Sequence, residues 1–462
     1  MAAFANKPKS AVRLKNSTAP DLQTLPRRLS LLQGTALNMI DMVGIGPFVV
    51  LPLVIQTIGG PQFIYAWVLG ALISFIDAFI WAELGAAFPK AGGSYNFLKI
   101  AYGEQRWGKL LSFLFVWQTL IQAPLVVASG AIGFAQYASY LFPLDDWQRR
   151  LVSGSVVVLI VLLLYRRIET IGRISLLLWA CVLTTMGWII IGGLSNATQP
   201  VLQVVQAAGP LTTGLFGAGL GAASVKTIYC YLGYYNVCHL GSEIRNPQRN
   251  IPISMFISIV GIAALYLLMN ISVVSVIPWQ EAQQSTFIVS TFVERLYGPE
   301  AAQMATWLVL VVAFSSLFAV LLGYSRVPYA AAADGQFFAI FARLHPTRHF
   351  PHLSLLFLGL LAFVFSLLFR LADVITAILA MRIVIQFIGQ AVGLLILHRN
   401  RPRTDFPFRM PLYPLPVLLA IVIWAFIFVS TGWSFMLSGL TVIALGVVTF
   451  LLSARVKRQW PF

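Results

Sequence analysis

The chain of 462 residues is 59% hydrophobic and 10% charged, with a mean hydropathy of +0.83, a balance that excludes a water-soluble globular domain. Its formal net charge of +16 would suit a polyanion, but the basic residues are spread over many short segments between apolar runs, which excludes nucleic acid as the partner. The partner implied by composition is a lipid bilayer.

Residues 1–28 are polar, basic and rich in Ser and Pro, and read as a disordered cytoplasmic tail; the apolar run behind them is far longer than a signal-peptide core. Twelve apolar segments follow, each near the ~20 residues that one crossing takes. They lie at about 29–57, 62–88, 107–136, 150–165, 172–194, 222–242, 252–277, 301–325, 353–371, 374–397, 415–432 and 434–454. Among the Lys and Arg residues, Arg149, Arg150, Lys226, Arg295 and Arg370 fall on one side of these crossings and Arg382 falls within one; the rest lie on the other side. The positive-inside rule makes that basic side cytoplasmic and places both termini there, in a multi-pass protein of the cytoplasmic membrane.

Two crossings are interrupted. Met42-Val43-Gly44-Ile45-Gly46-Pro47-Phe48 breaks the first, and Tyr231-Leu232-Gly233-Tyr234-Tyr235-Asn236 breaks the sixth. Glycine weakens a helix and proline removes an amide donor, so a spanning helix opens at such a stretch. Open backbone at membrane depth is tolerated where it lines a cavity or is buried in protein. The first crossing runs outward and the sixth inward, so the breaks occupy equivalent places in elements of opposite direction, which predicts an inverted repeat with a substrate site at its centre. The expected fold is an all-α polytopic bundle. Residues 29–194 and 195–400 are its two five-helix repeats, 401–454 a peripheral hairpin and 455–462 a cytoplasmic tail. The competing reading of the glycines is close helix packing alone.

A broken helix leaves free amides at the start of one half and free carbonyls at the end of the other. The outward half of the first crossing begins near Pro47, so amides around Ile45, Gly46 and Phe48 face the break with a positive dipole end behind them, and a carboxylate fits there. In the sixth crossing the carbonyls of Tyr231, Leu232 and Gly233 are placed to receive an ammonium group, and Asn236, at the end of the break, is a further substrate-binding candidate. Met42 and Val43 add acceptors on the inner side. Together these ends suit a zwitterion.

Ionisable residues at membrane depth are functional candidates. Asp41 lies one turn before Gly44, and Arg382 about eight residues into the tenth crossing; they face each other across the bundle, or one of them reads the substrate side chain. Asp77, Glu83 and Lys226 are weaker candidates, the last two within reach of a membrane surface. His239, in the inner half of the sixth crossing, is a proton relay or a packed imidazole. His345, His349, His352 and His398 read as solvated loop residues. Cys181, Cys230 and Cys238 show no metal-ligand spacing, so neither a disulfide framework nor a metal or cofactor site is expected. A helical stretch at 337–344 is expected to lie along the membrane face.

The order of these features resembles the amino acid–polyamine–organocation superfamily of secondary transporters over roughly residues 30–400. The resemblance is carried by Gly44-Ile45-Gly46 with Phe48, by Gly92-Gly93-Ser94-Tyr95, and by Gly233 among aromatics. Glu243-X-X-Asn246-Pro247 with Pro252, and Ser325-Arg326 followed by Asp334-Gly335, complete it. It implies a LeuT-like fold with discontinuous first and sixth helices, an α-amino acid substrate and Tyr229 as a gating ring over it. It also implies that Ser315 and Ser316 stand where related folds place hydroxyls around sodium, although such hydroxyls commonly bond their own helix. Glu243 and Arg326 are expected to tie inner loops to the bundle and bias the inner gate. Pro47 and the absence of a lysine from 172–194 depart from the pattern; proton symport then needs a carrier such as Asp41 or His239, whereas exchange needs none. A polyamine or organic cation carrier is the alternative substrate reading. A channel or membrane sensor has less support, and the chain shows no cluster suited to catalysis.

Overall fold

The computed structural model describes residues 25–105, 107–198, 219–368 and 371–456, with Gln203, Gln206 and Gly209 between them; the side chains of residues 371–375 lie outside that description. The tail expected at 1–28 lies outside it except for residues 25–28, as does that at 455–462 beyond residue 456. Backbone polar groups in lipid must be satisfied within the chain. Accordingly, the described residues form helices and turns, with two isolated bridges, Leu29 to Ile244 and Ala91 to Leu240.

The helices in order are α1 (Leu31–Met42), α2 (Gly46–Ile58), α3 (Phe63–Ala87), α4 (Ser94–Ala101), α5 (Trp107–Ala138), α6 (Asp146–Leu164) and α7 (Ile168–Ser195). Then come α8 (Gly221–Tyr231), α9 (Asn236–His239), α10 (Pro247–Val276), α11 (Trp279–Ala282), α12 (Ile288–Tyr297), α13 (Pro299–Tyr324) and α14 (Arg326–Ala333). The last five are α15 (His352–Leu368), α16 (Leu371–Arg382), α17 (Gly389–Asn400), α18 (Leu415–Ser430) and α19 (Trp433–Val456). Local chemistry sets several ends. Ser30 caps α1 in a reciprocal pair with Gln33, at 3.3 and 2.9 Å, and Asp145 caps α6 with Gln148, at 2.7 and 3.0 Å.

Among the described residues, α3, α5, α6, α7, α10, α19 and the runs Pro299–Ala333 and Thr376–Asn400 are long and apolar enough to cross a membrane. The α1 and α2 pair qualifies as one span bent by 42°, and α15 and α18 are shorter apolar helices. The chain is therefore an all-helical, multi-pass membrane protein. Burial sorts these spans. In the Pro299–Ala333 run 72% of the most apolar window is buried, against 11% in α19, so the former lies in the bundle's interior and the latter at its rim.

Three elements differ from the sequence reading. The sixth crossing does not resume as a long helix after its break; α9 is one turn and is followed by a 3-10 turn at Gly241–Glu243, because the segment carries the Tyr234-Tyr235 pair and ends at Gly241. The chain stays helical past Ser325 to Ala333, with Pro328 tolerated in the first turn of α14 and an alanine run behind it. Accordingly the helix expected at 337–344 shrinks to a 3-10 turn, Ala339–Ala342. The tenth crossing contains a π-helical turn, Ile383–Ile388, directly after Arg382. Such turns recur at functional sites. His398, expected to be solvated, belongs to α17 and is partly buried: its Nε2 meets Glu83 Oε1 at 2.8 Å and its ring stacks on Phe406 and Tyr413, at 4.4 and 4.1 Å.

Candidate functional site

Val43 leaves helical geometry at ψ 79°, the Gly44 amide turns back to Met42 O at 3.1 Å, and α2 begins at Gly46. Pro47 occupies the first turn of α2, where a missing amide is harmless. Ile45 O accepts the amides of Phe48 and Val49, each at 3.2 Å. The Phe48 amide is therefore engaged, contrary to expectation, because the residue capping a helix supplies its first carbonyl. The amides of Ile45 and Gly46 enter no hydrogen bond among the described residues, and both residues line a cavity of about 50 Å³.

The second break lies across that cavity. The α8 helix stops at Tyr231, Leu232 is extended and Gly233 turns at φ +118°. A side chain at Gly233 is disfavoured by that angle, and a Cβ there would stand 2.7 Å from Asp41 Cγ. The carbonyls of Tyr231 and Leu232 have no donor among the described residues, whereas Gly233 O accepts the Asn236 amide at 2.9 Å. Two of the three carbonyls expected to be free are so.

Side chains from outside the breaks fix their relative position. Tyr266 of α10 directs its hydroxyl at Met42 O (2.7 Å) and Cys230 O (3.1 Å), so one phenol spans the ends of α1 and α8. Asn38 Oδ1 of α1 accepts the Val237 amide at 2.9 Å, and Ser316 Oγ of α13 donates to Asp41 O at 3.1 Å. Asn236 Nδ2 donates to Ala319 O at 2.8 Å. Asn38 and Tyr266 were not anticipated. Their signal was a polar group on an otherwise apolar helix, which many membrane helices carry without function.

The cavity is lined by Asp41, Met42, Gly44, Ile45, Gly46, Tyr229, Leu232, Gly233, Ser316 and Arg382, with Tyr235 and Tyr324 among further neighbours. The Tyr229 hydroxyl lies 2.9 Å from Ser129 Oγ, and its ring stands 3.5 Å from where a Gly46 Cβ would be. Arg382 donates to the hydroxyls of Tyr235 and Tyr324 and to Gln386 Oε1 at 2.9 Å. It shares the cavity with Asp41, but no ion pair within 4.0 Å joins the two among the described residues. The tyrosines hold the guanidinium instead.

Other expected residues lie outside the cavity lining. The side chain of Tyr231 packs edge-on against Trp67 and Tyr266, at 6.3 and 5.1 Å, and Val43 is buried in the core. Ser315 Oγ bonds its own helix at Val312 O, 2.7 Å. Both ring nitrogens of His239 are buried without a partner among the described residues, with Trp81, Phe115, Tyr235 and Tyr324 around the ring. Aromatic packing describes it better than relay chemistry. Glu243 and Arg326 form a buried bidentate pair, at 2.9 and 2.8 Å. No group of three or more His, Cys, Asp or Glu converges as a metal set among the described residues.

Residues 29–452 match the family model described as amino acid permease. The chain is 26% identical over 330 residues to an uncharacterized amino acid permease, YecA, of Bacillus subtilis, covering 71% of this chain and 74% of the relative. It is 27% identical over 416 residues to human cationic amino acid transporter 4, covering 84% of this chain and 63% of that longer protein. It is 26% identical over 423 residues to the Bacillus subtilis serine/threonine exchanger SteT, covering 88% and 91%. With a match that runs from before the first break to beyond α18, on a multi-pass helical bundle, the chain belongs to the amino acid permease family and is a membrane transporter of amino acids.

Proposed function

We propose that this transporter grips an α-amino acid by its carboxylate and ammonium groups at the two helix breaks and moves it by alternating access. The observation that carries this reading is that Ile45 and Gly46, whose amides are unbonded, and Leu232, whose carbonyl is unbonded, line one cavity, with the unbonded carbonyl of Tyr231 one residue before Leu232. A helix start favours the carboxylate and a helix end the ammonium. Relatives named for cationic substrates and for serine and threonine share only these α-groups, so a site built on them suits the whole range. About 50 Å³ holds about four water-sized bodies. That fits the α-groups and a small side chain in the conformation seen.

In this reading the helices assemble into twelve crossings, with 29–194 and 195–400 as inverted five-helix repeats and 401–454 as a hairpin at the rim, and the basic loops face the cytoplasm. The α1/α2 and α8/α9 breaks and the low burial of α19 support it. Exchange is supported by the name of one relative. A polyamine would leave the α2 amides unused and would meet the Arg382 charge, so it is the weaker substrate.

The test is counterflow of labelled amino acids and polyamines into liposomes carrying the purified chain. A Cβ at Gly46 would lie 3.2 Å from Cys230 Sγ, so Gly46→Val places two further methyl groups into the grip. Wild type exchanges amino acids and not polyamines, and Gly46→Val abolishes exchange while keeping a cooperative thermal transition. Undiminished exchange by the variant overturns the grip.

A further inference from the structure

Asp77 lies about 21 Å from the start of α3 and about 15 Å from its end, deep in a span, and its side chain is 1% exposed. It takes no part in the cavity lining, and no Lys, Arg or His lies within 4.0 Å of it among the described residues. Its Oδ2 accepts the Tyr234 hydroxyl at 2.5 Å, and its Oδ1 accepts Trp424 Nε1 of α18 at 3.0 Å. An ionisable group at such depth is expensive and belongs to function by default.

Both partners lead to the cavity. Tyr234 follows Gly233, the residue that turns the second break at φ +118° and lines the cavity. Trp424 stacks on Phe387 of the π turn, at 4.0 Å and 9°, and the Phe387 ring lies 5.6 Å from Arg382 Cζ. A carboxylate on α3 therefore meets the second break through one hydrogen bond, from Tyr234, and the π turn through another, from Trp424, whose ring stacks on Phe387.

We propose that Asp77 is a proton-binding site that couples proton movement to amino acid transport, an inference that rests on the alternating-access reading above. An ionised carboxylate only accepts, and the Trp81 indole, one turn along α3, faces it besides the donors of Tyr234 and Trp424. A protonated carboxyl has one O–H to place. Trp424 Nε1 cannot accept it, so the proton is directed at the Tyr234 oxygen, and the Tyr234 hydroxyl must turn its own hydrogen away from Asp77. One proton thus rewires the contact that holds the second break. By reciprocity, a substrate that alters the break alters proton affinity at Asp77 by the same factor. The proton enters from water on one side, resides on the Asp77 carboxyl and leaves to water on the other. Each zwitterion then travels with one net positive charge.

The surroundings suit a single titrating centre. Tyr234 is the titratable group in contact, with Tyr235 beside it at 5.0 Å between rings, and Arg382 is the nearest cation whose field reaches it. The α18 helix carries no ionisable residue. On α10 these are Arg249 at the start and Tyr266, whose hydroxyl is engaged at the ends of α1 and α8. The α8 helix brings Lys226, Tyr229, Cys230 and Tyr231, and α17 brings His398 and Arg399 at its far end, where His398 pairs with Glu83.

The experiment uses liposomes carrying the full chain and a mixture of radiolabelled L-amino acids. Two quantities are read: counterflow at matched pH, and accumulation under a tenfold proton gradient. Wild type accumulates label several-fold more with the gradient than without it, and its counterflow varies with pH. Asp77→Asn, whose amide oxygen accepts from Trp424 Nε1 while its Nδ2 donates to the Tyr234 oxygen as the protonated carboxyl does, loses the gradient-driven gain and the pH dependence but retains counterflow; Asp77→Glu keeps the gain. Wild-type accumulation indifferent to the gradient, or an Asp77→Asn variant that still gains from it, overturns the proton assignment and leaves transport standing. Absence of counterflow in wild type sinks transport itself. Should Asp77→Asn fail to fold, proton release or uptake on adding the same mixture to lightly buffered wild type in detergent decides the matter, and a pH that does not move overturns the proposal.

Discussion

Replacing Glu243 by Gln removes the charge from a pair that is almost wholly enclosed, with side-chain exposures of 0% for Glu243 and 2% for Arg326. Arg326 approaches both carboxylate oxygens, Nε at 2.9 Å and Nη2 at 2.8 Å, and its Nη1 donates to Ser325 Oγ and Leu322 O at 2.9 and 3.1 Å. Glu243 O meanwhile accepts the amides of Arg28 and Leu29, and Leu29 O accepts the amide of Arg245. The pair therefore fastens the strand of chain before α1, the turn after the second break and the junction of α13 with α14. Loss of one partner from a buried pair leaves an uncompensated charge and destabilises by about 3–5 kcal/mol. That is a factor of about a hundred to a few thousand in the equilibrium that keeps these pieces together. Denaturant unfolding in detergent measures the loss directly. Alkylation of Cys230, which lines the cavity, measures the opening, in a background where Cys181 and Cys238 are serine. Glu243→Gln lowers stability and speeds alkylation, whereas the joint change Glu243→Leu with Arg326→Met recovers most of the stability, since apolar replacements of a buried pair are often neutral. The reasoning is refuted if Glu243→Gln stays within about 1 kcal/mol of wild type and Cys230 reacts at the wild-type rate.

Two further substitutions probe the framework of the breaks. Tyr266→Phe deprives Met42 O and Cys230 O of their shared donor, and lowers stability by about 1–2 kcal/mol in the same unfolding assay; an unchanged midpoint shows the phenol to be packing only. Asn38→Ala orphans the buried Val237 amide, costs about 1–3 kcal/mol and reduces counterflow, because the two breaks lose a direct tie; normal counterflow with reduced stability restricts Asn38 to a structural part.

The multi-pass helical character was legible because lipid turns apolar run length into a structural requirement, and the breaks were legible because Gly44, Gly46, Pro47 and Gly233 contradict the helix around them. Partnerships across the bundle were not. Nothing local distinguishes Tyr266, whose hydroxyl reaches the ends of two other helices, from a tyrosine that packs. Arg382 and Asp41 were paired in anticipation on charge alone, but Tyr235 and Tyr324 hold the guanidinium, and their contribution depends on how far α13 and α16 approach the break. The π turn after Arg382 leaves no mark in the run Ile383-Val384-Ile385, and the burial of His398 follows from Glu83, which is 315 residues away in the chain.

The hydrogen-bonding groups released by the two breaks can be followed one by one. Met42 O and Cys230 O face Tyr266, Asp41 O has Ser316, and the Val237 amide has Asn38. Local turns take the Phe48 and Val49 amides and Gly233 O. What stays unbonded among the described residues includes the amides of Ile45 and Gly46 at the beginning of α2 and the carbonyls of Tyr231 and Leu232 at the end of α8, together with the carbonyls of Ile40, Val43 and Gly44 and the amides of Gly233, Tyr234 and Tyr235. Each unsatisfied group at this depth costs free energy, which breaks serving only close packing have no means to recover. In the proposed grip the amides of Ile45 and Gly46 complement a carboxylate and the carbonyls of Tyr231 and Leu232 an ammonium, so the openings that weaken each helix recognise the part common to every α-amino acid. Discrimination between side chains must then come from walls away from the breaks, where Val126, Leu317, Val320 and Ile378 meet the cavity beside Arg382. Substitutions there change which amino acid is carried, whereas substitutions at the breaks change whether any is.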